Sequence, residues 1–200
     1  MTEFSTSQTK ANLMKAFAGE SMARNRYNMA ASCATSEGYH ALARLFDFTA
    51  KQEQAHATVF YNFLKEVNDT NFDISASYPV NVYTSTRDHL NAAVKNEYEE
   101  HNSIYRSFAE TAKQEGFNQI ANAFGQISEI EKIHAERFEL FLRLITDSKL
   151  AKDDSEILFV CTNCGHIHKG TSAPLACPVC SHPQGYFVKD SIKEKTTILL

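Results

Sequence analysis

Two hundred residues, 43% of them hydrophobic and 22% charged, are enough for one ordinary domain, or a medium domain plus a very small one, and they exclude a generally disordered chain. Twenty Lys and Arg against 24 Asp and Glu leave a net charge of −4 with no basic block, which sets nucleic acid aside as a partner. No apolar run approaches the roughly 20 residues of a membrane span, and the opening MTEFSTSQTK lacks the apolar core of a secretory leader, so a cytoplasmic location off the membrane is expected.

Helix-forming residues without proline run from Ser7 to about Ser36, and a second run goes from Tyr39 to about Val67. The stretch NDTNFDISASYPVNVYTS then reads as a long connection, rich in Asn, Asp and Ser and interrupted by Pro79. Helical character resumes near Thr86 and continues to Glu115, and a fourth run spans Phe117 to about Thr146. The polar DSKLAKDDSE, residues 147–156, is expected to be a linker between a helical domain at 1–146 and a small β-rich module at 157–200.

The helical part repeats itself at an offset of 78 residues. Glu37-Gly38-Tyr39 matches Glu115-Gly116-Phe117, Phe46 matches Phe124, and Glu53, His56 and Phe60 match Glu131, His134 and Phe138. Each repeat is a helical hairpin that turns at Glu-Gly, where glycine can end a helix in the left-handed conformation. Two hairpins joined by a long crossover predict a mostly α fold, a ferritin-like four-helix bundle, followed by the small β-rich module.

Residues level with each other in an antiparallel hairpin sit symmetrically about its turn. The midpoint of Glu20 and Glu53 falls beside Gly38, while those of Glu97 with Glu131 and Glu100 with His134 fall on either side of Gly116. Glu53-x-x-His56, Glu131-x-x-His134 and Glu97-x-x-Glu100 each place two side chains on one helix face. A single E-x-x-H pair is usually a solvated helix face. Two of them in register within a repeat, each facing another Glu, form the di-iron carboxylate pattern. Burying five carboxylates without a cation would be prohibitive.

The last fifth of the chain carries Cys161-x-x-Cys164 and Cys177-x-x-Cys180, spaced for one tetrahedral thiolate site. Spacing alone does not separate iron from structural zinc. The module is too short to hold a core unaided, so its metal must contribute stability. Cys33 stands apart and reads as a small buried hydrophobe.

With these residues in place, the chain resembles rubrerythrin over nearly its whole length. The resemblance rests on Glu20, Glu53-x-x-His56, Glu97-x-x-Glu100, Glu131-x-x-His134 and the C-terminal cysteine pairs, helical domain first. It implies that Glu53 and Glu131 bridge two irons, that Glu20 and Glu97 are terminal ligands, and that His134 binds one iron. At the other iron, Glu100 and His56 would exchange as the oxidation state changes. Five carboxylates facing two ferric ions leave one positive charge, which a hydroxide neutralises; facing two ferrous ions they leave one negative charge, which replacing Glu100 by neutral His56 removes.

The Cys-Pro-Val-Cys knuckle resembles rubredoxin, although Ser181-His182 stands where free-standing rubredoxins usually carry Gly after the last cysteine. Beside a redox-active di-iron domain, iron becomes the expected metal of the four thiolates. The implied activity is an NADH-peroxidase type of oxidoreductase that reduces hydrogen peroxide to water. Its electrons come from NADH through a separate reductase, or through rubredoxin, because the chain has no nucleotide-binding glycine motif. The family is at least dimeric, with one chain's module serving its partner's di-iron site. The principal alternative is a ferroxidase or iron-handling protein of the ferritin-like class, which has no need of the cysteine module.

Four finer expectations follow. Tyr27 and Tyr105 are candidates to hold a hydroxyl against a ligating carboxylate. Tyr105 follows Glu97 by eight residues where Tyr27 follows Glu20 by seven, and one extra residue inside a helix predicts a π turn between Glu97 and Tyr105. The resemblance puts His182 on the electron path from the cysteine site. His166 and His168 are expected to face solvent, and His40, His89 and His101 receive no role.

Overall fold

The computed structural model describes residues 2–192. Four long helical runs form, as α1 (Gln8–Ser36), α2 (His40–Asn62), a third run and α5 (Asn118–Thr146). The third run is α3 (Thr86–Glu99), a π turn at Glu100–Ile104 and α4 (Tyr105–Glu115), so the one-residue excess between Glu97 and Tyr105 is absorbed where it was expected. Residues 68–83 carry no helix or strand and make the long crossover between the hairpins.

The repeat governs how the helices begin and end. Gly38 and Gly116 adopt φ of 80° and 93°, and the amides of Tyr39 and Phe117 reach back to the carbonyls of Ala34 and Ala112, both at 2.8 Å. Such caps satisfy carbonyls that the helix leaves over. Each turn glutamate then caps the first helix of the other hairpin. Glu115 accepts from the amides of Gln8 and Thr9 at 2.9 and 2.8 Å, and Glu37 accepts from the amide of Thr86 at 2.8 Å. Ser7 and Ser85 repeat the pattern, their hydroxyls accepting from Lys10 and Asp88 amides at 3.0 and 3.1 Å.

The chain divides into two compact units. The first comprises Met1–Arg26, Thr49–Val82 and Ala92–Glu136. Its core packs Leu13, Phe60, Tyr105 and Phe124, with the rings of Phe60 and Phe124 stacked at 4.8 Å. The second comprises Tyr27–Phe48, Tyr83–Asn91 and the described residues from 137 onward. It holds a cluster of Tyr27, Phe46 and Phe138, and the C-terminal module.

The module is a three-stranded antiparallel sheet of order β2-β1-β3, with β1 at Lys152–Cys161, β2 at Ile167–Ser172 and β3 at Phe187–Lys189. Its small core is Phe159, Phe187, Ala173, Cys161 and Cys177. Residues 152–156, inside the stretch expected as a linker, already belong to β1. Lys152 pairs with Ser172, and Asp153 accepts from the buried Lys189 ammonium at 2.8 Å. Residues 193–200 of the expected module lie outside the described residues. Within the second unit the module touches the α1–α2 turn: the Tyr186 ring stacks on His40 at 4.4 Å, and Arg44 donates to the Thr162 carbonyl. A Cβ on Gly185 would run into the Gly38 carbonyl oxygen, so only glycine fits there.

Candidate metal centres

Helical periodicity brings the acidic and imidazole groups together inside the first unit. Glu20 (α1), Glu53 and His56 (α2), Glu97 (α3), and Glu131 and His134 (α5) are all buried. Their ligand atoms form two groups, Glu20, Glu53, His56 and Glu131, and Glu53, Glu97, Glu131 and His134, each with its atoms within 4.8 Å of one another. Glu53 and Glu131 belong to both. That sharing is what two adjacent metal ions bridged by two carboxylates require.

The polar atoms fit cations and little else. His56 Nδ1 lies 3.0 Å from Glu131 and 3.3 Å from Glu53, and His134 Nδ1 lies 3.0 Å from Glu53 and 2.9 Å from Glu131. Yet both Nδ1 atoms, Glu20 Oε2 and all four oxygens of Glu53 and Glu131 have no hydrogen-bond partner among the described residues. Buried polar atoms left in this way are costly. Atoms that approach one another without hydrogen-bond alignment have lone pairs free to converge on an ion.

Electrostatics say the same. Burial, reinforced by the charges of Glu131 and Glu53, holds the Glu20 carboxyl well above the usual range. Burial and the neighbouring Glu53 charge push Glu97 up to about 8, and burial with Glu97 raises Glu100 strongly. Burial would also raise Glu53, but His134 and His56 outweigh it and hold that carboxyl low. Burial opposes charging of His56, yet Glu131 and Glu53 raise it to about 9, and His134 is raised well above its ordinary value by Glu53 and Glu131. The cluster therefore demands positive charge, as protons or as metal ions.

Glu100 departs from the others. It begins the π turn, is half-buried, and lies outside both groups, while His56 lies inside one. Tyr105 is buried and its hydroxyl donates to Glu20 Oε1 at 2.5 Å. Tyr27 is buried in the second unit, where its ring packs on Phe138 at 5.2 Å and on Phe46 at 6.1 Å. Three other groups were not anticipated. Gln52 Oε1 accepts from His134 Nε2 at 3.1 Å, which selects the tautomer that leaves Nδ1 for a metal. His101 in the π turn bonds through Nδ1 to the Ser128 carbonyl at 2.8 Å, and the Ser128 hydroxyl donates back to the His101 carbonyl at 3.0 Å. Arg26 sits near enough to Glu100 to act on its charge. Polar residues at such positions are commonplace on helices, so no motif marks them.

The four cysteines of the module also converge. Cys161 and Cys180 sulfurs are 3.7 Å apart, as are those of Cys164 and Cys177. A disulfide would need about 2.05 Å. Metal–sulfur bonds of about 2.3 Å give a tetrahedral edge of about 3.8 Å. The knuckles are alike: Gly165 and Ser181, at φ of 77° and 60°, direct their amides to the carbonyls of Cys161 and Cys177 at 2.8 and 2.9 Å. Ser181 thus occupies the left-handed position that glycine would take more easily. His182 Nδ1 lies 3.0 Å from the Cys180 carbonyl, and its ring meets Tyr186 edge-on at 4.6 Å. His166 and His168 are half-buried rather than fully solvated, and Cys33 is half-buried too.

Comparison with known proteins agrees. Residues 11–142 match the family model described as rubrerythrin, and residues 159–188 match that of the rubrerythrin rubredoxin-like domain. The chain belongs to the rubrerythrin family. It is 42% identical to a rubrerythrin of Clostridium perfringens (strain 13 / Type A) over 188 residues, covering 94% of this chain and 96% of that one. It superposes on the fully reduced, all-ferrous nigerythrin structure with a TM-score of 0.62 at 29% identity, over 94% of each chain. A bacterioferritin of Mycobacterium tuberculosis, at 18% identity and a TM-score of 0.59 over 70% of this chain and 86% of that one, shares the ferritin-like fold. As a rubrerythrin-family protein the chain has a di-iron site in its helical domain and a one-iron site in its rubredoxin-like domain. Among the described residues no helix is long and apolar enough to cross a membrane.

Proposed function

We propose that this rubrerythrin-family protein is a non-haem di-iron peroxidase. It reduces hydrogen peroxide to water in the cytoplasm, using electrons that a separate reductase draws from NADH and passes through the four-cysteine iron. The observation that carries the reading is the pair of buried donor groups sharing Glu53 and Glu131, in a chain that also holds a four-thiolate site. Glu53 and Glu131 would hold both irons, Glu20 and Glu97 one each, and His56 and His134 complete the two sets. When bound, the irons supply one electron each and Lewis acidity toward the O–O bond.

The chain's own groups do the rest. Tyr105 holds the Glu20 carboxylate by its short hydrogen bond, and Gln52 orients His134. Glu100, half-buried beside the cluster, is available to replace His56 when the site gains positive charge on oxidation, which keeps a buried site near neutrality. His182, bonded to the Cys180 carbonyl and in contact with Tyr186, is where electrons would leave the thiolate iron. A homodimer, in which one protomer's module serves its partner's di-iron site, is part of this reading.

Stopped-flow mixing tests it. The reduced protein is expected to be oxidised faster by hydrogen peroxide than by dioxygen, with stoichiometric loss of peroxide. Formation of a ferric mineral core without peroxide turnover would establish the iron-handling alternative instead.

A further inference from the structure

A cavity of about 590 Å3 opens in the first unit between α1, the crossover at residues 76–79 and the π turn, and the function proposed above gives it no task. Ala16, Pro79, Ile104 and Phe108 supply apolar wall. Tyr78 pins the crossover to α1. Its hydroxyl donates to the Lys15 carbonyl at 2.9 Å, and its ring lies 3.6 Å from where a Cβ on Gly19 would stand.

Two polar groups matter most. Glu100 and Arg26 both line the cavity. Arg26 Nε is buried and has no hydrogen-bond partner among the described residues. A buried donor without an acceptor is costly, so a ligand oxygen there would relieve a standing penalty. Hydrogen peroxide matches about two waters, roughly 60 Å3 of liquid volume, and would leave nearly all of this space unused. Sites for small organic molecules run about 300–1,000 Å3 and combine apolar walls with a few convergent polar groups.

We propose that this cavity is the binding site of an organic hydroperoxide, its apolar body against Ile104, Phe108 and Pro79 and its O–OH group between Glu100 and Arg26. The inference rests on the peroxidase reading and names a second substrate class for it. Overall, one hydroperoxide, two electrons from the same donor chain and two protons from solvent give one alcohol and one water as the O–O bond breaks. Arg26 donates to the oxygen on which charge develops, the placement that stabilises a transition state rather than a ground state.

The probes are cumene hydroperoxide and its unreactive product alcohol, 2-phenylpropan-2-ol, with the full-length iron-loaded protein. Calorimetry is expected to show saturable binding of the alcohol. Ser107→Trp, at an exposed position on the cavity lining, is expected to weaken that binding at least tenfold, while Ser107→Ala leaves it unchanged and both variants keep the parent melting profile. Arg26→Gln is expected to slow oxidation of the reduced protein by cumene hydroperoxide about a hundredfold. Reduction of hydrogen peroxide with no saturable alcohol binding, or equal binding in Ser107→Trp, overturns the cavity assignment and leaves the peroxidase reading standing. Alcohol binding with neither peroxide reacting overturns the peroxidase reading and, with it, hydroperoxide as the ligand class.

Discussion

The Tyr105 hydroxyl at 2.5 Å from Glu20 and the Gln52 oxygen at 3.1 Å from His134 would act on the metals only through these two ligand candidates. Outer partners of this kind typically change metal affinity or activity 10- to 100-fold when removed. Tyr105→Phe is therefore expected to slow oxidation of the reduced protein by peroxide about tenfold or more, with metal content retained, as read by stopped-flow absorbance. Gln52→Ala is expected to weaken metal binding by a similar factor in chelator competition. The ligand candidates themselves were legible as spaced Glu and His in a repeat. Gln52 and Arg26 were not, because their roles depend on which neighbour each side chain meets across a helix interface.

At the scale of elements, the Glu-Gly turns do two jobs. The glycine ends its own helix, and the glutamate caps another. Burial opposes ionisation of Glu115, but the Thr9 hydroxyl and the Gln8 and Thr9 amides outweigh it and hold the carboxyl below its ordinary 4.5. A lowered pKa adds stability that is present above about 4.5 and lost as pH falls through the lowered value. Glu115→Ala is expected to cost about 1–2 kcal/mol at neutral pH, the scale of a lost helix cap, and the gap from the parent should narrow in acid denaturation profiles. The π turn is the second such device. Deleting exposed Asn102 would restore an α ladder with the seven-residue spacing that Glu20 and Tyr27 already have, so Glu97 and Tyr105 would keep their register and only the turn, with Glu100 and the pairing of His101 to Ser128, would change. Cobalt titration is expected to show two ions still bound in the helical domain of that variant, because neither donor group contains Glu100. The turn was readable as a one-residue break in the 78-residue repeat; its pinning by His101 and Ser128 was not.

For the molecule as a whole, the buried cluster makes folding depend on metal and pH together. With metal removed, Glu97 keeps its proton to about pH 8 when folded, whereas an unfolded chain releases it near 4.5; His56 likewise stays charged to about 9 against an ordinary 6.5. Between those values the folded state binds more protons, so stability falls as pH rises across the interval. Glu53, held low, acts in the opposite sense and only below about 4.5. Thermal melts of the metal-free protein are expected to drop steadily from pH 5 to 9. Iron should raise the melting temperature and flatten that slope, releasing protons as it binds. The helical runs, the hairpin repeat, the cysteine knuckles and the identity of the ligand candidates were legible in the sequence, because helical periodicity and turn chemistry act over a few residues; the start of the first strand at Lys152 and the strand Ile167–Ser172 were not, because strands are fixed by pairing across the sheet. The sharing of Glu53 and Glu131 by two donor groups, the exclusion of Glu100 from both, and the cavity beside Arg26 were decided only by folding. Each depends on side chains from separate helices meeting at ångström precision, and that is set by packing across interfaces rather than by any stretch of chain.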